Sequence, residues 1–348
     1  VITPSLSGVI KDNNWSGELK AKLTSYRYSD HSINGDDQFF DVTGRYSEER
    51  NIFSLNANYD LSSNLDSTST AFGIAGRRVE QKSQIISPQY TRLLTERLAL
   101  MLGYTYTDVN FSNTETTNFT DYTSHTGSGT LIYDLTEKDK MTVSFFAVDY
   151  ASSGDQLTYN LYMSRFGIDH EFSETLSTDF LIGVSRRKTT NRTTQTFDFF
   201  GNVITLEQED DSNTRGLLFD AGITKKFESS ELESRLSRNN NTNSTGGLDQ
   251  TDTFTLRYKE DLSSLWRYDA SVRYQDITSV GSSNSTDNRE LLFLETRLFY
   301  SITKKWIANA SYRYAQIKRT GDTSDNSTPH SNRIFVGITY NFPSLSTF

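Results

Sequence analysis

A chain of 348 residues that is only 34% hydrophobic yet 13% aromatic, with 19 Tyr and 22 Phe, is too polar for a large packed core and too aromatic for disorder. Its formal charge of −9 argues against a nucleic-acid partner, and the absence of cysteine excludes disulfides, thiolate metal sites and covalent haem motifs. No run approaches the roughly 18 apolar residues of a membrane helix. A thin apolar band around a wet, polar interior, which is the wall of a membrane β-barrel, fits this composition.

Read for a period of two, the sequence predicts strand after strand with no long helical pattern between them. The first is Ile2–Ile10, turning at Lys11–Asn14 into Trp15–Ser29, where Gly17, Leu19, Ala21 and Leu23 alternate with Glu18, Lys20 and Lys22. A polar loop, His31–Asp37, precedes Gln38–Ser47. Phe53, Leu55, Ala57, Tyr59 and Leu61 then share one parity in the cleanest strand of the chain. The fifth strand ends near Leu94, and Leu98, Leu100, Leu102, Tyr104 and Tyr106 mark the sixth. Two more strands close at Leu135 and Tyr150. The ninth, Leu157–Phe172, changes parity near Arg165, which predicts a bulge there. Leu176, Phe180, Ile182 and Val184 open the tenth. The excursion Thr189–Asn213 follows, read as an extramembrane hairpin turning at Gly201–Asn202. Strands begin again at Thr214, Leu232, Phe254, Trp266, Glu290 and Trp306, and the last is Arg333–Phe342.

Short turns near positions 48, 95, 137, 174, 229, 263 and 304 alternate with long polar loops. The hairpin repeat of roughly 40 residues is a period that propeller blades share. A blade needs four short strands per repeat, whereas these are two long ones. The fold class expected is therefore all-β: one antiparallel transmembrane β-barrel domain over residues 1–348, with 16–18 strands, short periplasmic turns and long extracellular loops. Seventeen strands are counted, an odd number. A first segment that does not span gives 16 and an upstream strand gives 18; the strand-like opening ITPSLSGVI favours 18. Aromatic residues gather at strand ends, as at the two interfacial girdles.

The inward parity is charged with both signs, and arginine concentrates on the last third. The lumen-lining candidates are Arg257, Lys259, Arg267, Arg273, Arg297, Arg313, Glu231 and Glu233. Two readings stay open: attraction of anionic solutes or acidic sugar chains, and paired charges that only solvate the wall. Thr189–Asn213 is the candidate for a loop that narrows the lumen. His31, His125, His170 and His330 have no Ser and acidic partners at catalytic spacing, so no catalytic residue, cofactor or enzyme activity is assigned. Asp36–Asp37 and Asp210–Asp211 are carboxylate pairs that suit Ca²⁺ or plain solvation. Sequons at Asn118, Asn191 and Asn243 carry little weight in such a chain.

The last strand resembles the assembly signal of bacterial outer-membrane barrels: Gly337, Tyr340 and Phe342 fall on its pattern, while Phe335 stands where a polar residue is expected. The stretches QFFDVTGRYSEERNIFSLNANYDLSSNLDS, RRVEQKSQIISPQYTRLLTERLALMLGYTYTDVNF and LIYDLTEKDKMTVSFFAVDY resemble the outer-membrane β-barrel porin family encoded with bacterial exopolysaccharide-export and protein-sorting genes. That resemblance covers nearly the whole chain as a pattern. It implies an outer-membrane conduit for polysaccharide, an upstream first strand, and periplasmic polysaccharide-export proteins as partners beside lipid, lipopolysaccharide and the barrel-assembly machinery. The alternatives are a general diffusion porin, the barrel sheath of a multihaem cytochrome, a barrel enzyme, and an adhesin working through its loops.

Overall fold

The computed structural model describes residues 2–27, 35–63, 80–112, 120–153, 156–199, 202–242, 248–280, 288–320 and 328–340. Among them the chain makes β1 (Ser5–Lys11), β2 (Trp15–Tyr26), β3 (Gly35–Glu48), β4 (Asn51–Ser63), β5 (Glu80–Leu93) and β6 (Leu98–Ser112). It continues with β7 (Tyr122–Asp134), β8 (Asp139–Ser152), β9 (Leu157–Ser173), β10 (Leu176–Phe199), β11 (Asn202–Lys226) and β12 (Ser230–Thr242). The last are β13 (Leu248–Asp261), β14 (Trp266–Val280), β15 (Asn288–Ser301), β16 (Trp306–Thr320) and β17 (His330–Tyr340). All belong to one sheet, and each strand pairs antiparallel with its neighbours in sequence, from β1–β2 to β16–β17. Among the described residues no pairing joins β1 to β17. Both edge strands are odd-numbered in a strict meander, so they run in the same direction.

The sheet is apolar on the side that a soluble protein makes polar. In β8, Phe145 is 58% exposed on the outer face while its neighbour Ser144 is 7% exposed on the inner face. There Ser144 accepts a hydrogen bond from Thr130 at 3.0 Å. Phe53, Leu55, Phe180, Ile182, Leu236 and Ile334 are likewise exposed outward. In water this surface would be strongly unfavourable; against lipid tails it is the matching solvent.

The girdles are explicit. Each of the three Trp residues opens a strand directly after a short turn and lies against a Tyr across the ladder. The ring centroids are 4.7 Å apart for Trp15–Tyr46, 4.5 Å for Trp266–Tyr300 and 4.6 Å for Trp306–Tyr340. Toward the other rim, outward phenols find polar partners: Tyr104 with His125 Nδ1 at 2.7 Å, Tyr274 with Glu290 at 3.3 Å and Tyr312 with Asn332 at 2.6 Å. Amphipathic rings sit with the body in lipid and the hydroxyl in the polar layer.

The short turns share one device. Thr95 Oγ1 accepts from the Arg97 and Leu98 amides, Thr136 Oγ1 from Lys138 and Asp139, Ser263 Oγ from Leu265 and Trp266, and Thr303 Oγ1 from Lys305 and Trp306. The hydroxyl satisfies amides that the ladder has released, which is why Ser or Thr recurs there.

Two sequence expectations are corrected. Thr189–Asn213 is the hairpin the sequence predicts, but it is continuous with the wall: β10 and β11 pair without interruption from Leu176–Lys225 to Phe199–Asn202, so Asn202 belongs to β11 rather than to the turn. Its polar residues follow from a ladder that continues past the apolar band. Gly201 lies outside the described residues. Arg165 is not at a bulge either; it stays in register with Ser144 and Gly183, and the irregularity falls between Leu176 and Ser177 opposite β9. The apolar residues switch parity because the inner face itself turns apolar there. Tyr159, Leu161 and Met163 pack inward with Tyr150, a cluster that composition alone does not show. Like clusters form around Val109–Phe111 and around Ile277, Leu291, Phe293 and Ile317, on the inner face toward the long-loop rim. Smaller shifts occur at the start: β1 begins at Ser5, with Ile2 bridging Ser25, and β3 begins at Gly35, which takes Asp36 and Asp37 into a strand.

Candidate functional site: the charged inner wall

The ladder brings the predicted lumen residues of the last third together. One row across β12–β16 reads Glu233, Arg257, Ser271, Glu295, Arg313; the next reads Glu231, Lys259, Asp269, Arg297, Ser311. Residues directly opposite one another share a face, so the six cations and two glutamates named from the sequence form one continuous inner surface, with Arg267 and Arg273 on β14. All eight are on this surface.

Most of these charges are paired. Arg257 lies 3.6 Å from Glu233, Lys259 3.3 Å from Glu231, and Arg267 3.4 Å from Asp269. Glu295 takes Arg297 at 2.6 Å and Arg313 at 3.2 Å. Farther along, Arg235 bridges Asp220 at 2.8 Å and Asp179 at 3.0 Å. These side chains are substantially solvent-exposed, and exposed pairs contribute only ~0.2–1 kcal/mol each. Pairing therefore keeps the guanidinium groups extended over the wall but holds them weakly enough for another anion to compete.

The guanidinium groups also lie on inward aromatic rings. Arg267 sits 4.5 Å from the Phe299 centroid, Arg273 5.2 Å from Phe293, and Arg165 5.0 Å from Phe146. The lumen aromatics thus present cations rather than bare faces to solvent. Arg165 is one that sequence reasoning passed over, because the apolar residues beside it obscured its inward parity.

The inner wall around β4–β7 is richer in hydroxyls and amides, with the charged Glu18 and Arg45 beside it and Lys20 paired to Glu18 at 2.9 Å on β2. Ser54 bonds Gln89 at 3.4 Å and Ser87 bonds Thr105 at 3.0 Å, and with Thr43, Asn56 and Ser128 they line a cavity of about 710 Å³. The interior therefore offers a stretch of hydroxyls and amides as well as a mixed-sign charge ladder.

The remaining candidates do not assemble. His125 and His170 are on the outer face, with His170 Nδ1 2.5 Å from Asp139. His330 opens β17, and His31 lies outside the described residues. Asp36 is taken by Ser25 at 2.6 Å and Arg27 at 3.0 Å, and Asp211 by Thr190 at 2.7 Å and Lys188 at 3.4 Å. Among the described residues no three His, Asp or Glu side chains come together to hold a metal. Asn191 is in β10, while Asn118 and Asn243 are outside the described residues. On β17, Gly337 faces inward under the Phe335 ring and Tyr340 packs outward on Trp306; Phe342 is outside the described residues.

No protein-family model matches this sequence, and no curated protein matches it. Solved structures do. The copper transporter OprC is 12% identical, matching 98% of this chain and 64% of its own at a TM-score of 0.60. The ferric citrate transporter FecA, in its unliganded form, is 13% identical over 97% of this chain and 60% of its own at 0.58. The FrpB iron transporter from Neisseria meningitidis is 10% identical over 93% and 61% at 0.54. The chain spans less than two thirds of the length of each. At such identities the likeness is one of fold, and that fold is the antiparallel β-barrel of the bacterial outer membrane.

Proposed function

We propose that this chain is the wall of an outer-membrane transport channel whose cargo is a hydrophilic polymer, an exopolysaccharide being the best fit. The carrying observation is the contrast within the inner wall between a stretch of hydroxyls and amides around Ser54, Ser87 and Thr105 and a mixed-charge stretch rich in arginine on β12–β16. A sugar chain crossing it exchanges water contacts for wall contacts of similar kind, so no step along the path is strongly trapping. Lipid and lipopolysaccharide contact the outer face, the assembly machinery reads β17 through Gly337, Tyr340 and Phe342, and periplasmic export proteins deliver the polymer.

Planar-bilayer recordings test this. Stable conductance blocked by added oligosaccharide is the expected result, whereas conductance indifferent to every saccharide means a general diffusion porin. A second reading draws on the copper and iron transporters with which the fold is shared: the cargo would then be a small anionic metal complex. Block by such a complex without block by oligosaccharide would select it.

A further inference from the structure

Arg273 differs from the other cations of the charged wall. Among the described residues no carboxylate pairs with it, although Arg257, Lys259, Arg267, Arg297 and Arg313 each have one. The nearby Glu295 is already shared by Arg297 and Arg313. What holds Arg273 in place is Phe293, directly opposite it in the ladder, with the guanidinium carbon 5.2 Å from the ring centroid. Stacking fixes the plane of the fork while leaving its N–H groups free to donate.

This fork borders a cavity of about 310 Å³. Four cations line it, Arg257, Lys259, Arg273 and Arg297, against two carboxylates, Asp269 and Glu295. Its floor is made by small hydroxyl residues, Ser271 and Thr255. The volume is at the lower end of the ~300–1,000 Å³ typical of ligand pockets, which suits one monosaccharide unit better than a longer stretch.

We propose that this cavity is an anion subsite of the channel that takes one acidic sugar unit, its carboxylate gripped by Arg273 and its hydroxyls by Ser271 and Thr255. A planar fork and a carboxylate match two-to-two, the geometry in which a charge-assisted pair is strongest. This assignment rests on the polysaccharide reading and narrows it to acidic polymers. Phosphate and sulfate share the same chemistry, so the probes separate them from the sugar acid.

The test is isothermal titration calorimetry on the detergent-solubilised protein, which requires no open pore. Oligogalacturonate, neutral maltoheptaose and inorganic phosphate are the three probes. The wild type should bind oligogalacturonate at least tenfold more tightly than either of the others. Arg273→Met should weaken oligogalacturonate binding about tenfold, a loss of ~1.4 kcal/mol, and leave maltoheptaose unchanged. Arg273→Lys, which keeps the charge without the fork, should fall between. Heat-modifiable gel mobility identifies folded barrels, and Phe293→Leu, which removes the platform but not the cation, gives a second variant with an expected loss of a few-fold. Unchanged oligogalacturonate binding in folded Arg273→Met, or phosphate binding as tightly as the oligomer, overturns the subsite. A protein that binds oligogalacturonate through Arg273 but is never blocked by it in bilayers overturns the conduit and leaves the subsite standing.

Discussion

Glu295 is a single carboxylate serving two guanidinium groups, Arg297 at 2.6 Å and Arg313 at 3.2 Å, on adjacent strands of the inner wall. An acidic group that reaches Arg297 or Arg313 competes with this carboxylate. Glu295→Gln frees both arginines while preserving shape. Reversal potentials in a KCl gradient should move toward anion selectivity, and oligogalacturonate block should tighten at least about threefold, or ~0.7 kcal/mol. An unaltered reversal potential would show that these pairs do not govern the field of the lumen.

Gly183 and Gly44 make a controlled comparison. A methyl at Gly183 would stand 2.6 Å from the Ser164 carbonyl oxygen and 3.2 Å from the Arg165 Cα, which are backbone atoms of β9 that cannot swing aside. A methyl at Gly44 meets nothing within 4 Å. Gly183→Ala should lower stability by about 1–3 kcal/mol, the range of overpacking in a fixed frame. Gly44→Ala should be nearly neutral. Urea-unfolding midpoints in lipid vesicles measure both, and equal midpoints would refute the close approach of β9 to β10.

Tyr150 is 1% exposed on the inner face, stacked on Tyr159 with centroids 4.5 Å apart, and its hydroxyl has no hydrogen-bond partner among the described residues. An unsatisfied buried hydroxyl costs about 1–3 kcal/mol. Tyr150→Phe keeps the stack and removes that cost, so the unfolding midpoint should rise. A fall would mean that the hydroxyl has a partner in the membrane-embedded protein.

Acid should loosen the β10–β11 hairpin beyond the apolar band. The Thr190 hydroxyl donates to Asp211 there, and Lys188 lies beside it, so the Asp211 carboxyl is held below its ordinary value. A depressed folded-state value gives stability that is present above the unfolded value and lost as pH falls through the folded one. Hydrogen-exchange protection of the hairpin amides, corrected for intrinsic rates, should therefore drop as pH falls below about 4. In Asp211→Asn the dependence should flatten; the same profile in both proteins would remove Asp211 from the explanation.

The strands were legible because lipid on one side and water on the other impose period two for the whole length of a spanning strand. Hence the inward parity of Arg257, Glu295 and Arg313 could be read directly from residues two apart. The turns were legible because Thr95, Thr136 and Thr303 do the same local work. Three features were not. The inner apolar clusters put Tyr159 and Leu161 on the face where polar residues are expected, and period analysis cannot tell which face is which once both are apolar. The continuity of β10 into β11 was hidden because a strand beyond lipid loses its apolar face while keeping its hydrogen bonds. The distinction of Arg273 from its neighbours depends on which carboxylates reach which cations, a matter of distances across five strands.

The β10–β11 ladder has a consequence for how the molecule is met from outside. The last partner of β9 on β10 is Asn191, yet β10 and β11 stay paired through eight further positions, Arg192–Glu209 to Phe199–Asn202. At ~3.4 Å per residue this is a blade about 27 Å long, nearly the thickness of a bilayer's hydrocarbon core. Among the described residues it continues past its neighbours as a two-stranded ladder, a ready contact surface for a phage, an antibody or a neighbouring cell meeting the protein from the long-loop side.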